Sequence, residues 1–119
     1  MGLPLCSGAM SEFTEKRYLQ LADQTFRRIQ DALEPIDPDD ADYEFSGDVM
    51  TVTFKNGVKS VINTQRPTRQ IWLAARSRAW HFSWDEATGT WLDEKGTGDE
   101  LFAILRAIVK ENAGVELDV

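Results

Sequence analysis

Between residues 43 and 93 apolar and polar residues alternate in six short runs, with a turn signal between each run and the next. A side-chain period of two is that of a strand burying one face only. Tyr43 to Phe45 leads into Ser46-Gly47-Asp48, and Met50, Val52 and Phe54 then alternate with Thr51 and Thr53. Asn56-Gly57, inside Lys55 to Val58, is the strongest short-range hairpin signal. Lys59 to Thr64 runs back, and Arg66-Pro67-Thr68 breaks the ladder. Gln70 to Ala75, Ala79 to Trp84 and Thr90 to Asp93 supply the remaining strands. Connections this short permit only antiparallel neighbours, so the chain must build a meander.

Half-polar strands need a cover for their apolar face, and the flanks provide it. Tyr18, Ala22, Phe26, Ile29 and Leu33 recur at helical spacing within Ser11 to Leu33. Pro35 ends that helix, because the residue before a proline is driven out of the α region. Thr97-Gly98-Asp99-Glu100 reads as a capping box with Thr97 as N-cap. Leu101, Phe102, Leu105, Ile108 and Val109 then form a second apolar stripe, closed by Gly114. The expected fold is α+β, a two-layer sandwich. Its N- and C-terminal helices pack on one face of a five- to six-stranded antiparallel sheet. Residues 11–119 read as a single domain. Residues 1–10 read as a disordered or appended extension, with Met10 as the natural start.

Composition excludes several functions. One Cys, Cys6, forms no internal disulfide, and with a single His no four-ligand zinc site is available. No apolar run reaches the ~20 residues that span a bilayer. A net charge of −7 disfavours nucleic acid as the partner. No Ser or Cys pairs with the lone His in a nucleophilic motif, and no Gly-rich phosphate loop is present.

The charge is strongly segregated. From Ile29 to Phe54 the chain holds Asp31, Glu34, Asp37, Asp39, Asp40, Asp42, Glu44 and Asp48 with no Lys or Arg. From Lys55 to Trp84 it holds six cations and no acid. Asp42 and Glu44 share one strand face, roughly 6–7 Å apart. That lies inside the Debye length of about 8 Å. Each such pair costs roughly 0.6 kcal/mol even in bulk-water dielectric, against a domain stability of about 5–15 kcal/mol. Asp31 and Glu34 add anions where the helix macrodipole disfavours them. Local rules broken together point to a site. Hard carboxylate oxygens suit iron and other divalent cations, in an open, weak and unselective arrangement. They suit a basic protein surface equally well.

On the uncovered face of the sheet, alternation places Asn63, Gln70 and Trp72 outward, with Gln65 close by. Trp72 is then either half-buried by its neighbours or an interface anchor. His81 also points outward, as a surface imidazole or an accessory metal ligand.

Val61-Ile62-Asn63-Thr64-Gln65-Arg66-Pro67 followed by Gln70-Ile71-Trp72-Leu73 resembles the frataxin family motif. Leu21-Ala22-Asp23-Gln24 and Trp80-His81-Phe82 resemble its bacterial branch. The resemblance covers about residues 11–115, and the loop from Glu34 to Ala41, with its two prolines, departs from the family spacing. The resemblance implies that Asp31, Glu34, Asp37, Asp39, Asp40, Asp42 and Glu44 form an acidic ridge binding Fe(II) and Fe(III). It implies that Asn63, Gln65, Gln70 and Trp72 form a partner-binding surface. It further implies a monomeric protein of the bacterial cytoplasm that docks on the cysteine desulfurase and scaffold machinery of iron–sulfur cluster assembly, as iron donor or sensor. Other divalent cations remain open as ligands. Two other functions stay in view: a ferroxidase, and a pure adaptor in which metal binding is incidental. The Glu-x-x-His pairs of di-iron bundles are missing, so a non-enzymatic role is expected.

Overall fold

A computed structural model describes residues 13–119, so the extension at residues 1–10 lies outside the described residues. Helix α1 spans Glu15–Leu33. The strands are β1 (Ala41–Ser46), β2 (Val49–Phe54), β3 (Lys59–Gln65), β4 (Gln70–Ala75), β5 (Arg78–Asp85) and β6 (Thr90–Asp93), and helix α2 spans Leu101–Ala113. Every strand pairs antiparallel with its sequence neighbours in the order β1 to β6.

The core lies between the helices and one sheet face. Tyr18, Phe26, Ile29 and Leu33 from α1 and Leu101, Leu105, Ile108 and Val109 from α2 are buried against Met50, Val52, Ile62, Ile71, Leu73, Phe82 and Trp91. Each fully buried side chain of this kind contributes about 1.5–3 kcal/mol. Two polar atoms inside the core fix how α1 lies on the sheet. The Tyr18 hydroxyl donates to the Gln70 carbonyl at 2.7 Å. Trp91 Nε1 donates to Thr25 Oγ1 at 2.9 Å.

The helix starts differ from the sequence reading. The α1 N-cap is Thr14, whose hydroxyl accepts from the Arg17 amide, so the helix read as Ser11 to Leu33 begins at Glu15. For α2 the Thr97 capping box does not form. Thr97 Oγ1 instead donates to the Asp93 carboxylate and accepts from the Asp99 amide. Glu100 is the N-cap, its carboxylate accepting from the Phe102 and Ala103 amides. Asp93 is buried, so its claim on Thr97 outweighs the capping spacing. At the other end Gly114 closes α2 in the left-handed region, at φ 72°.

Candidate functional site

The acidic residues occupy the β1 border, and the fold brings them together from three elements. Asp31 lies in the last turn of α1, where no basic residue offsets it, and Glu34 is the C-cap. Asp37, Asp39 and Asp40 form the turn into β1, with Asp39 N donating to Asp37 Oδ1 at 2.9 Å. Asp42 and Glu44 stand opposite Thr53 and Thr51, on the sheet face away from the helices. The set therefore wraps around the edge strand.

Tyr43 ties the two sides of this border together, which its apolar reading in the alternation did not foresee. Its hydroxyl donates to Glu34 Oε2 at 3.0 Å. That hydrogen bond first, then burial, then the charges of Glu34, Asp31 and Asp42, push the phenol above its ordinary pKa. Asp39, Asp42 and Glu44 line one shallow hollow of about 480 Å³, with Tyr43, Thr51 and Thr53. Asp31 lines a separate hollow with Arg28 and Asp118. Of the seven acids only Asp40 forms an ion pair among the described residues, with Lys55 at 3.8 Å. The cations of residues 55–84 therefore leave most of the border uncompensated. Among the described residues no three His, Cys, Asp or Glu side chains converge to enclose a metal ion. The border is an open rim of carboxylates and not a cage.

His81 stands apart from that rim. It lies in β5, four strands from β1, or about 19 Å at the usual interstrand spacing. The sheet register instead sets Ser46, Val49, Asn63, Trp72 and His81 in one row across the outward face. Glu94 extends the row, its amide donating to the His81 carbonyl at 2.8 Å.

Three members of this row, Trp72, His81 and Glu94, join Gln70 and Ser83 of the next cross-strand pair in one polar network. The His81 ring stacks on Trp72 at 4.0 Å between centroids, with the planes 14° apart. His81 Nδ1 meets Glu94 Oε2 at 2.9 Å. A carboxylate only accepts, so Nδ1 carries the hydrogen. Gln70 Nε2 donates to Glu94 Oε1 at 2.9 Å and to Ser83 Oγ at 3.0 Å. Gln70 Oε1 accepts from Trp72 Nε1 at 2.9 Å. The hydrogen bond from Gln70, then that from His81, holds the Glu94 carboxyl below the usual glutamate range.

These contacts revise the sequence reading of Gln70. Alternation puts it on the outward face, yet it is only 7 % exposed and spends both amide groups inside the network. It positions Trp72 and offers no free surface to a partner. Asn63, Gln65 and Trp72 remain half-buried on that face. Ser83 and Glu94, which complete the network, were not singled out by sequence. Their only signal is the period of two, which puts Ser83 on the face of His81 and Glu94 on the face of Leu92, whereas the pairing of Ser83 with Gln70 comes from the β4–β5 register.

An open antiparallel meander covered on one side by two helices, with an acid-rimmed edge strand and a tryptophan on its bare face, defines the class of molecule. Residues 11–115 match the family model of the frataxin-like domain. The chain belongs to that family. It is 40% identical over 105 residues to the iron-sulfur cluster assembly protein CyaY of Azotobacter vinelandii, covering 88% of this chain and 94% of the relative. It is 41% identical over 111 residues to the protein of the same name from Cupriavidus pinatubonensis, covering 91% and 97%. Among solved structures, frataxin from Psychromonas ingrahamii superposes with a TM-score of 0.79 at 31% identity, over 89% of this chain and 97% of that one. Trimeric frataxin from the yeast Saccharomyces cerevisiae, complexed with ferrous iron, superposes with a TM-score of 0.68 at 33% identity, over 80% and 87%. Among the described residues no helix is long and apolar enough to cross a membrane.

Proposed function

We propose that this protein binds iron weakly at the β1 border and regulates iron–sulfur cluster assembly by docking on the cysteine desulfurase, as iron donor or sensor, without catalysing a reaction itself. The observation carrying this reading is the charge left over at the border, where one acid in seven has an ion-pair partner among the described residues. Family membership supports it, as do the cluster-assembly names of the bacterial relatives and the ferrous iron in the yeast structure. An open rim of hard oxygen donors suits a cargo that must be handed on, since it offers charge without enclosing the ion. Asp39, Asp42 and Glu44 around one hollow are the best-placed ligands. Trp72, held flat by His81 and Gln70, is the anchor for the protein partner.

The test has two arms. Fe(II) added under nitrogen should perturb backbone resonances of residues 31–44 and leave those around Trp72 unmoved. Changing Asp39, Asp42 and Glu44 together to Asn, Asn and Gln should abolish the effect, and unchanged affinity removes the metal half of the reading. In the second arm, Trp72→Ala should lose capture by the desulfurase while keeping iron binding. Desulfurase turnover with and without this protein and iron then gives the sign of the regulation. An iron-independent effect would favour the pure adaptor. Oxygen consumption above that of free iron would favour the ferroxidase.

A further inference from the structure

The sheet edge farthest from the border holds another pair of acids, and one of them is buried. Asp93 ends β6 and is only 7% exposed. Alternation along β6 puts it on the helix-facing side with Trp91, and the register pairs it with Phe82 of β5. Thr97 Oγ1 donates to its Oδ2 at 3.3 Å. Its Oδ1 is sealed from water and has no hydrogen-bond partner among the described residues. A buried carboxylate oxygen left without a partner is costly and calls for a counterpart. No Lys, Arg or His forms an ion pair with Asp93 among the described residues.

The chain folds back after β6 and brings a second carboxylate to the same place. Asp93 N donates to the Asp99 carbonyl at 2.9 Å, and Leu92 bridges Glu100 in antiparallel register. That register sets Asp99 opposite Asp93. Residues so opposed share a face, with Cβ atoms roughly 4.5–5.5 Å apart, and like charges there are destabilising. Asp99 is half-buried and also lacks an ion-pair partner among the described residues. Thr97 Oγ1 touches both sides of this fold-back, since it accepts from Asp99 N at 3.3 Å as well as donating to Asp93. Glu94 and Glu100 are spent elsewhere, the first on Gln70 and His81 and the second on the α2 amides. The stretch thus gathers two carboxylates and a hydroxyl, all hard oxygen donors.

We propose that residues 93–99 form a second cation site, in which Asp93, Thr97 and Asp99 hold a hard divalent ion of the calcium class. The Asp93 oxygen without a partner is the observation that carries it. One divalent ion cancels both charges, ends their repulsion and gives Oδ1 its counterpart. Residues 93–99 contain no His, Cys or Met, so softer metals find no preferred donor. Calcium accepts carboxylate, hydroxyl and backbone carbonyl oxygens in flexible geometry, whereas magnesium demands a near-ideal octahedron. With only two carboxylates the affinity falls at about 0.1–1 mM, the weak end for calcium loops. Asp99 precedes Glu100, the α2 N-cap, so the ion braces the end of β6 against the start of that helix. The site lies five strands from β1, or about 24 Å at the usual spacing, and stands apart from the iron reading.

The probe is Ca(II), titrated into the iron-free full chain in ~0.15 M KCl and followed by backbone amide spectra. Shifts at residues 92–100 should saturate on a one-site curve. Asp93→Asn and Asp99→Asn each keep the shape and remove one charge, and each should weaken that response by about tenfold or more. The rim change of Asp39, Asp42 and Glu44 to Asn, Asn and Gln should leave it intact. A second measurement uses the unaltered protein, so the result does not depend on a variant folding. Tb(III), excited through tryptophan, should luminesce at this site and be displaced by Ca(II). Trp91 is its donor, on the same strand face as Asp93 and roughly 6–7 Å away. Shifts confined to residues 31–44 overturn the proposal. So does a response at residues 92–100 still unsaturated at ~10 mM, ten times the weak end of the expected range. Undiminished affinity in both Asn variants, or the absence of luminescence that Ca(II) displaces, overturns it as well.

Discussion

The β1 border and the network around Trp72 both gather polar side chains, yet they are built on opposite principles. In the row around Trp72, Gln70 satisfies Trp72, Ser83 and Glu94 at once, and Glu94 in turn holds His81. In the border the acids face one another and the solvent, with Lys55 on Asp40 and the Tyr43 hydroxyl on Glu34 as their side-chain partners among the described residues. A closed network loses stability when any member is cut, because it leaves buried groups unpaired. A crowded set of like charges gains stability when a member is neutralised. The two regions should therefore respond to mutation with opposite sign, and that contrast separates a surface evolved to hold one shape from one that holds unmet charge.

The largest effect is expected at the centre of the network. Gln70→Ala deprives Trp72 Nε1 and Ser83 of a partner and should lower stability by ~1–3 kcal/mol, read from urea unfolding at neutral pH. It should also free the Trp72 indole, seen as faster exchange of its N–H. Unchanged stability would mean that water replaces Gln70 without loss, and the contrast with the border would vanish. Next in size is the border itself. Asp39, Asp40 and Asp42 changed together to Asn should raise stability by about 0.5–1 kcal/mol, since three exposed repulsions outweigh one long, exposed ion pair. Added salt should stabilise the unaltered protein more than this variant, because screening does part of the same work. A loss of stability would show that the acids support the turn into β1, as the Asp39 amide bonded to Asp37 already does locally.

The same contrast explains what could be seen in the sequence. The meander and both helices were legible because period two and period 3.6 are imposed by burial along a single segment. The border was legible because charge density is also a property of one contiguous segment. The network was not. Glu94 in the turn after β6 reaches across β5 to Gln70 in β4, so nothing adjacent in sequence announces it. Gln70 was accordingly placed on the correct face and given the wrong exposure. Thr97 failed for a related reason: its hydroxyl is taken by Asp93 of β6, a contact that a capping box read from four residues does not contain. Phe45 shows the limit of alternation at an edge, where the inner face has a floor on one side only and an inward ring remains half in water.

The smallest effect is the most specific to the network. Glu94→Gln keeps the shape and removes the charge that accepts from Gln70 and His81. The folded-state carboxyl of Glu94 lies below its usual range, so its contribution is present above the unfolded glutamate value of about 4.3 and disappears as pH falls through the lower folded value. Glu86, held low by Arg17, follows the same course but is common to both proteins. Unfolding free energies of the unaltered protein and of Glu94→Gln should therefore differ at neutral pH and converge in acid. Because Glu94 is exposed, the neutral-pH gap should be modest. A gap that persists undiminished into acid would show that the carboxylate charge is not what holds the row together. The stacked His81–Trp72 pair and the Gln70 amide would then orient the indole by packing alone, and the border would be the one region of the molecule governed by charge.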